Sequence, residues 1–193
     1  MEEIFSAFFE KSISPSAVSV GPDYRFLFVN EAWVRLFGYS KEETIGRHSR
    51  ELGIHRDPIL GEDLLRRLSA SGSIREAALV LYDRSGTELH VLNNITRMTL
   101  DGKEYILSSL QDVTRQKLAE ARRQRHDATL LEELTRRERD VLKLAIAGHS
   151  NKDIAARLGI SYRTVEVHRS HCIRKLGTRS LIQIKEIADS GHL

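Results

Sequence analysis

The stretch that decides the fold is Asn151 to Gly177, NKDIAARLGISYRTVEVHRSHCIRKLG. It reads as two helices joined by a tight turn. Ser150 can cap the first helix through its hydroxyl, with Asp153 three residues on as the reciprocal member of a capping box. Ile154, Ala155 and Leu158 set an apolar stripe at helical spacing. Gly159 stops that helix, because glycine reaches the left-handed region without a Cβ penalty. Ser161 can cap a second helix that runs to Gly177. There Val165, His168, Cys172 and Leu176 share one face, and Arg163, Glu166, Val167, Ser170 and Arg174 share the opposite one. A helix with one packed side and one side of donors and acceptors, braced by a shorter helix, is the helix-turn-helix plan for reading a major groove.

Working outward, residues 134–180 run through LTxRExxVL, AGxSNKxIAxxLxIS, RTVExHR and KLGxRS without a break. This stretch resembles the LuxR/GerE-type helix-turn-helix, the output domain of FixJ- and NarL-like regulators. The TVExHR and KLGxRS runs separate it from the DNA-binding region of sigma factors, which shares the local fold. The resemblance implies that the second helix lies in the major groove. Glu166, Val167 and Ser170 then fall near base edges, flanked by Arg163 and Arg174. Glutamate can accept from a cytosine amino group and valine can meet a thymine methyl. Many members of the family carry lysine where this chain has Glu166. Lys152, Ser161, Tyr162, Thr164, Arg169 and Lys175 complete the expected DNA-contacting set, with Lys152, Tyr162, Thr164, Arg169 and Lys175 toward phosphates and the helix N-termini adding their amides.

Charge agrees with that assignment. Residues 1–111 hold 13 Lys+Arg against 16 Asp+Glu, and residues 112–193 hold 17 against 11. The basic half is the half with the helix-turn-helix, as attraction to phosphates requires. The 193 residues suffice for two small domains. A single cysteine rules out an intramolecular disulfide and fits a reducing compartment. No run approaches the roughly 18 apolar residues of a membrane helix. The MEEIFSAFFEK start is acidic and lacks the basic region of a signal peptide. A cytoplasmic protein without membrane contact is expected.

Toward the N-terminus, Ile4, Phe5, Phe8 and Phe9 make a short amphipathic helix over residues 2–11, broken by Ser14-Pro15-Ser16. Strands are expected at 17–20 and 24–29. Asn30 sits where strand gives way to helix, a natural cap, and the helix carries Trp33, Leu36 and Phe37 to Gly38. Residues 59–68 read as a helix with Leu60, Leu64, Leu65 and Leu68 inward, and residues 69–73 as a loop. Strand-like runs at 74–82, 88–100 and 105–113 are joined by hairpin turns at 83–86 and 101–102.

The segments FFEKSISPSAVSV, FLFVNEAWVRLFGYSKEETIGR and LQDVT resemble a PAS domain, over about residues 5–114. The expected architecture is therefore an α+β PAS domain at 1–114, a five-stranded antiparallel sheet with helices on one face. A helical linker at 115–132 joins it to an all-α, four-helix helix-turn-helix domain at 133–193. The linker has no glycine or proline. Leu134–Ile146 opens the output domain with a Thr135/Glu138 capping box, and a last helix is expected at 180–190.

PAS domains hold flavin, haem or a small organic ligand, or simply dimerise. IGRHSREL at 45–52 aligns with the flavin light-sensor motif GRNCRFLQ, but Ser49 replaces the reactive cysteine, His48 the asparagine, and Leu110 stands for the glutamine of the last strand. That excludes a cysteinyl-flavin photocycle and argues against flavin. Haem binding needs a histidine on the 59–68 helix, which has none; His55 lies just before it. The remaining option is an apolar cavity, empty or holding a small organic ligand, near Phe28, Trp33, Phe37 and Tyr39. No His, Cys or carboxylate set has metal-ligand spacing, and no phosphate loop, nucleophile elbow or kinase site suggests an enzyme.

The reading is a one-component transcription regulator in which a PAS sensor controls binding to double-stranded DNA, with RNA polymerase as a further partner. Two alternatives stay open. The PAS part docks a sensor kinase or another regulator, or it is a haem or flavin sensor. A homodimer is expected, because one output domain contacts a single half-site. Its contacts are sought at Phe5, Phe8 and Phe9, at Leu118 and Leu131 of the linker, and at Leu181, Ile184 and Ile187 of the last helix.

Overall fold

A computed structural model describes residues 2–178 and 180–191, apart from the side chains of Glu2, Phe5 and Leu181. The chain runs α1 (Glu2–Lys11), β1 (Ser16–Val20), β2 (Arg25–Val29), α2 (Glu31–Phe37), α3 (Lys41–Thr44), α4 (Pro58–Ser71), β3 (Ser73–Tyr82), β4 (Glu88–Leu100) and β5 (Lys103–Asp112). It continues through α5 (Thr114–Glu132), α6 (Arg136–Ile146), α7 (Asn151–Leu158), α8 (Tyr162–Leu176) and α9 (Leu181–Ser190). It forms two compact units, which divide inside α5 between Lys117 and Leu118.

In the first unit the five strands form one antiparallel sheet in the order β2-β1-β5-β4-β3. Alternation puts Val91 and Ile95 of β4, Leu79 and Leu81 of β3, and Leu110 of β5 on the inner face. There they meet Trp33 and Phe37 of α2 and Leu64 and Leu68 of α4. The outer face carries Phe28, Met98, Leu100 and Leu107, all exposed. α4 extends three residues beyond the expected stop at Leu68. The serines at 69–71 do not break it; Gly72 does, in the left-handed region at φ 74°.

Asn30 is fully buried and ties four backbone positions together. Its Oδ1 accepts from Trp33 N at 2.9 Å, capping α2, and from Ser16 N at 3.0 Å. Its amide nitrogen donates to Phe9 O and Ser14 O.

The second unit has two small cores. Val141, Ile154 and Val165 bring α6, α7 and α8 together with no exposed surface. Leu134, Leu142, Cys172, Leu176 and Ile184 form the other, joined by Leu131 from the end of α5. α5 meets α9 closely: Ser190 Oγ donates to the buried Asp127 at 2.5 Å, Arg123 pairs with Glu186 at 2.8 Å, and a Cβ at Gly191 would collide with Leu131.

Candidate nucleic-acid interface and sensor cavity

Each helix of the motif is started by a side chain three residues from its target. Ser150 accepts from Asp153 N, and Asp153 accepts from Ser150 N. The Ser150 hydroxyl, foremost, holds the Asp153 carboxyl below its usual range, so the cap stays charged at the positive end of α7. Ser161 accepts from Thr164 N at 3.1 Å and starts α8. Gly159 and Gly177, at φ 65° and 68°, end the two helices. Arg169 fixes α8 to the start of α7 by donating to Asn151 Oδ1 at 2.7 Å.

This geometry sorts the candidate contact residues. Arg163, Glu166, Val167, Ser170 and Arg174 lie exposed on one side of α8, opposite buried Val165, Cys172 and Leu176. Lys152, Ser161 and Tyr162 are exposed, and Thr164 is half-buried with its hydroxyl against that of Ser161. Lys175 departs from the expectation of a free phosphate contact. Its ammonium donates to Glu138 Oε2 at 2.7 Å and to Glu133 O at 2.9 Å. The cause is Glu138, only 3% exposed, which needs a counter-charge once α6 packs on α8. Burial works against ionising Glu138. The hydrogen bonds from Lys175 and Thr135 outweigh it and hold the carboxyl down at about 2. Burial, with the Glu138 charge, pushes the Cys172 thiol up to about 11, so it is an apolar core group.

In the first unit a cavity of about 190 Å³ lies between the inner face of the sheet, α2 and α4. Trp33 and Phe37 line it as expected. Phe28 and Tyr39 do not. Val18 pairs with Phe28 but Ser19 with Phe26, so β2 carries an extra residue at Leu27. That bulge reverses the alternation, turning Phe26 into the cavity and leaving Phe28 56% exposed on the outer face. Tyr39 instead donates to Leu52 O at 2.6 Å, with Arg84 over its ring. His48, Ser49 and Leu110 stand on the cavity wall, together with His55, Arg50 and Asn93.

Two dimer candidates are also corrected. Ile184 and Leu131 are 3% and 4% exposed, because α9 and the end of α5 close the core of the second unit. Ile187 packs partly against the same core. Phe8 and Leu118 are exposed and Phe9 is half-buried. Phe5 and Leu181 lie outside the described side chains. Among the described residues no group of His, Cys, Asp and Glu could hold a metal ion.

Comparison with known proteins agrees with both units. Residues 132–188 match the model for bacterial regulatory proteins of the luxR family. The transcriptional regulatory protein TdiR of Thauera aromatica is 53% identical over 51 residues, 26% of this chain and 22% of TdiR. The virulence-factor transcription regulator BvgA of Bordetella pertussis is 30% identical over 105 residues, 54% of this chain and 48% of BvgA. The match thus spans under half the length of either relative. The structure of an RNA-binding light-oxygen-voltage receptor shares the fold over 60% of this chain and 34% of its own, with a TM-score of 0.52 and 20% identity. The PAS-domain model matches residues 15–115, more than half of the sequence, and the chain therefore belongs to the PAS-domain family, with a luxR-family regulatory domain following it at 132–188.

Proposed function

We propose that the chain is a cytoplasmic transcription regulator that binds double-stranded DNA through α8 and is controlled by its PAS unit. The observation that carries the reading is the exposed side of α8. Arg163, Glu166 and Arg174 are exposed there, and their side chains make no hydrogen bond or ion pair with any described residue. A row of uncommitted donors and acceptors on a helix braced by α7 suits base-edge and phosphate contacts. Glu166, Val167 and Ser170 face bases in this reading, while Arg163, Arg174, Lys152 and Tyr162 meet the backbone. Lys175 and Arg169 position the helix from behind.

Binding of the full chain to a duplex selected from a random pool, measured against salt, tests this. Arg163→Ala and Arg174→Ala should each lower the salt slope by about one unit. Failure to enrich any duplex, or binding insensitive to salt, overturns the proposal.

The PAS unit is assigned a sensing role through its cavity and a role in homodimer formation through its outer sheet face. The second role is favoured by register: Val18 pairs with both Phe28 and Leu107, and Met98 and Leu100 continue that face. Ile4 and Phe8 of α1 are exposed as well. Leu107→Glu with Phe28→Glu should turn a dimer into a monomer in light scattering. A wild-type chain that is already monomeric at tens of micromolar favours docking to a kinase or another regulator. No described helix is long and apolar enough to cross a membrane.

A further inference from the structure

The sensor cavity is mostly apolar. Trp33, Phe37, Leu64, Leu79, Ile95 and Leu110 supply most of its wall. Its volume of about 190 Å³ is little more than the ~150 Å³ that encloses one benzene. One six-membered ring with a small substituent fits it. Trp33 contacts Phe26 edge-on at 5.3 Å and Phe37 tilted at 4.7 Å. Such a wall of ring faces and edges suits a flat aromatic guest.

Most polar groups on the wall are already engaged. Tyr24 Oη donates to Glu104 at 2.5 Å. Ser108 Oγ donates to Asn93 Oδ1 at 2.8 Å. Arg50 donates to Pro58 O at 3.3 Å. His55 stands apart: its Nε2 is buried without any hydrogen-bond partner, and no other buried side-chain nitrogen or oxygen of the described lining residues is left so. Leaving a buried polar atom unpaired is costly, and a bound hydrogen-bonding group recovers that cost. The ring lies against Gly61 of α4, where a Cβ would approach His55 Cε1 to 3.4 Å and Arg50 Nη2 to 3.0 Å. Gly61 thus lets both side chains reach the rim.

We infer that the cavity takes a neutral, single-ring aromatic molecule bearing one hydroxyl, with the ring among the aromatic side chains and the hydroxyl on His55 Nε2. The inference rests on the sensing role proposed above and specifies its ligand. Burial, and next the charge of Arg50, hold the His55 imidazole below its usual pKa, so the ring is neutral. A neutral imidazole offers one donor and one acceptor, and a hydroxyl serves either tautomer because it both gives and accepts. An amine cation meets repulsion from Arg50. A carboxylate would gain nothing from the neutral His55 ring and would have to turn to Arg50, whose guanidinium is already drawn to Pro58 O.

Titration of the full chain with phenol, benzene and benzoate tests the assignment. Trp33, the single tryptophan of the sequence, lies on the cavity wall and reports occupancy by its emission. Phenol should change that emission and bind about tenfold tighter than benzene, as one hydrogen bond allows. His55→Leu should bring phenol and benzene to equal affinity, and His55→Gln should keep a preference for phenol. Equal binding of phenol and benzene to the wild-type chain, or stronger binding of benzoate, overturns the ligand class while leaving a sensing cavity. No effect of any of the three on Trp33 overturns the sensing role as well.

Discussion

Asn30 and Glu138 are both polar and both buried, at 0% and 3% exposure, yet they hold their units in different ways. Asn30 is neutral, and its four partners are all backbone groups, at Phe9, Ser14, Ser16 and Trp33. Glu138 is charged, and besides the Thr135 N–H it depends on the side chains of Lys175 and, at 3.4 Å, His171. An amide bonded to backbone responds little to pH or salt. A carboxylate held by a cation responds to both. The Asn30 node should therefore hold through conditions that loosen the Glu138 node. Trp33 emission follows the first unit, and hydrogen exchange at Val141, Ile154 and Val165 follows the second.

Removing the cation is the strongest way to separate the two. Lys175→Met leaves the buried Glu138 carboxylate with only the Thr135 N–H and His171 beside it, and should destabilise the second unit by about 4 kcal/mol. Exchange at Val141 and Val165 should accelerate while the Trp33 denaturation midpoint stays fixed. A shift of the Trp33 midpoint by the same amount would show that the two nodes are not independent.

Acid gives the next largest effect. The Glu138 carboxyl is held down at about 2 in the folded chain, against an ordinary value of 4.5. A depressed carboxyl stabilises the fold above its unfolded pKa and loses that contribution as pH falls. Stability of about 3 kcal/mol should thus disappear between pH 4.5 and 2, in the second unit. Exchange measured across that window checks it, and the pH dependence should shrink in Lys175→Met.

Asn30→Ala tests the neutral node. It uncaps α2 and leaves Ser16 N without its partner, while Ser14 O keeps the Ser16 hydroxyl and Phe9 O keeps Ser12 N, at about 3 kcal/mol. The Trp33 midpoint should fall equally at pH 7 and pH 4, and exchange in the second unit should be unaltered.

The smallest effect concerns where the second unit begins. A fragment from residue 133 lacks Leu131 and the Asp127–Ser190 bond. It should be about 2 kcal/mol less stable than one from residue 118. Denaturant titration of the two fragments compares them, and equal midpoints would show that the end of α5 adds nothing.

Elements whose cause lies within a few residues were legible in the sequence. The boxes Ser150/Asp153 and Thr135/Glu138, the Ser161 cap, and the stops at Gly159 and Gly177 were legible because donor and acceptor are three residues apart, or because only the backbone is involved. The two sides of α8 followed from helical spacing, and the five strands from alternation between turns. Tertiary structure decided what depends on distant partners. The bulge at Leu27, set by pairing with β1, exchanged Phe26 for Phe28 at the cavity. Glu138 drew in Lys175 from 37 residues away, where basic character alone suggested a phosphate contact. Packing of α5 on α9 took Leu131 and Ile184 out of the candidate dimer surface. An apolar side chain looks the same in the sequence whether it meets its own core or a second chain. Only the packing of helices far apart along the chain decides which surface water leaves.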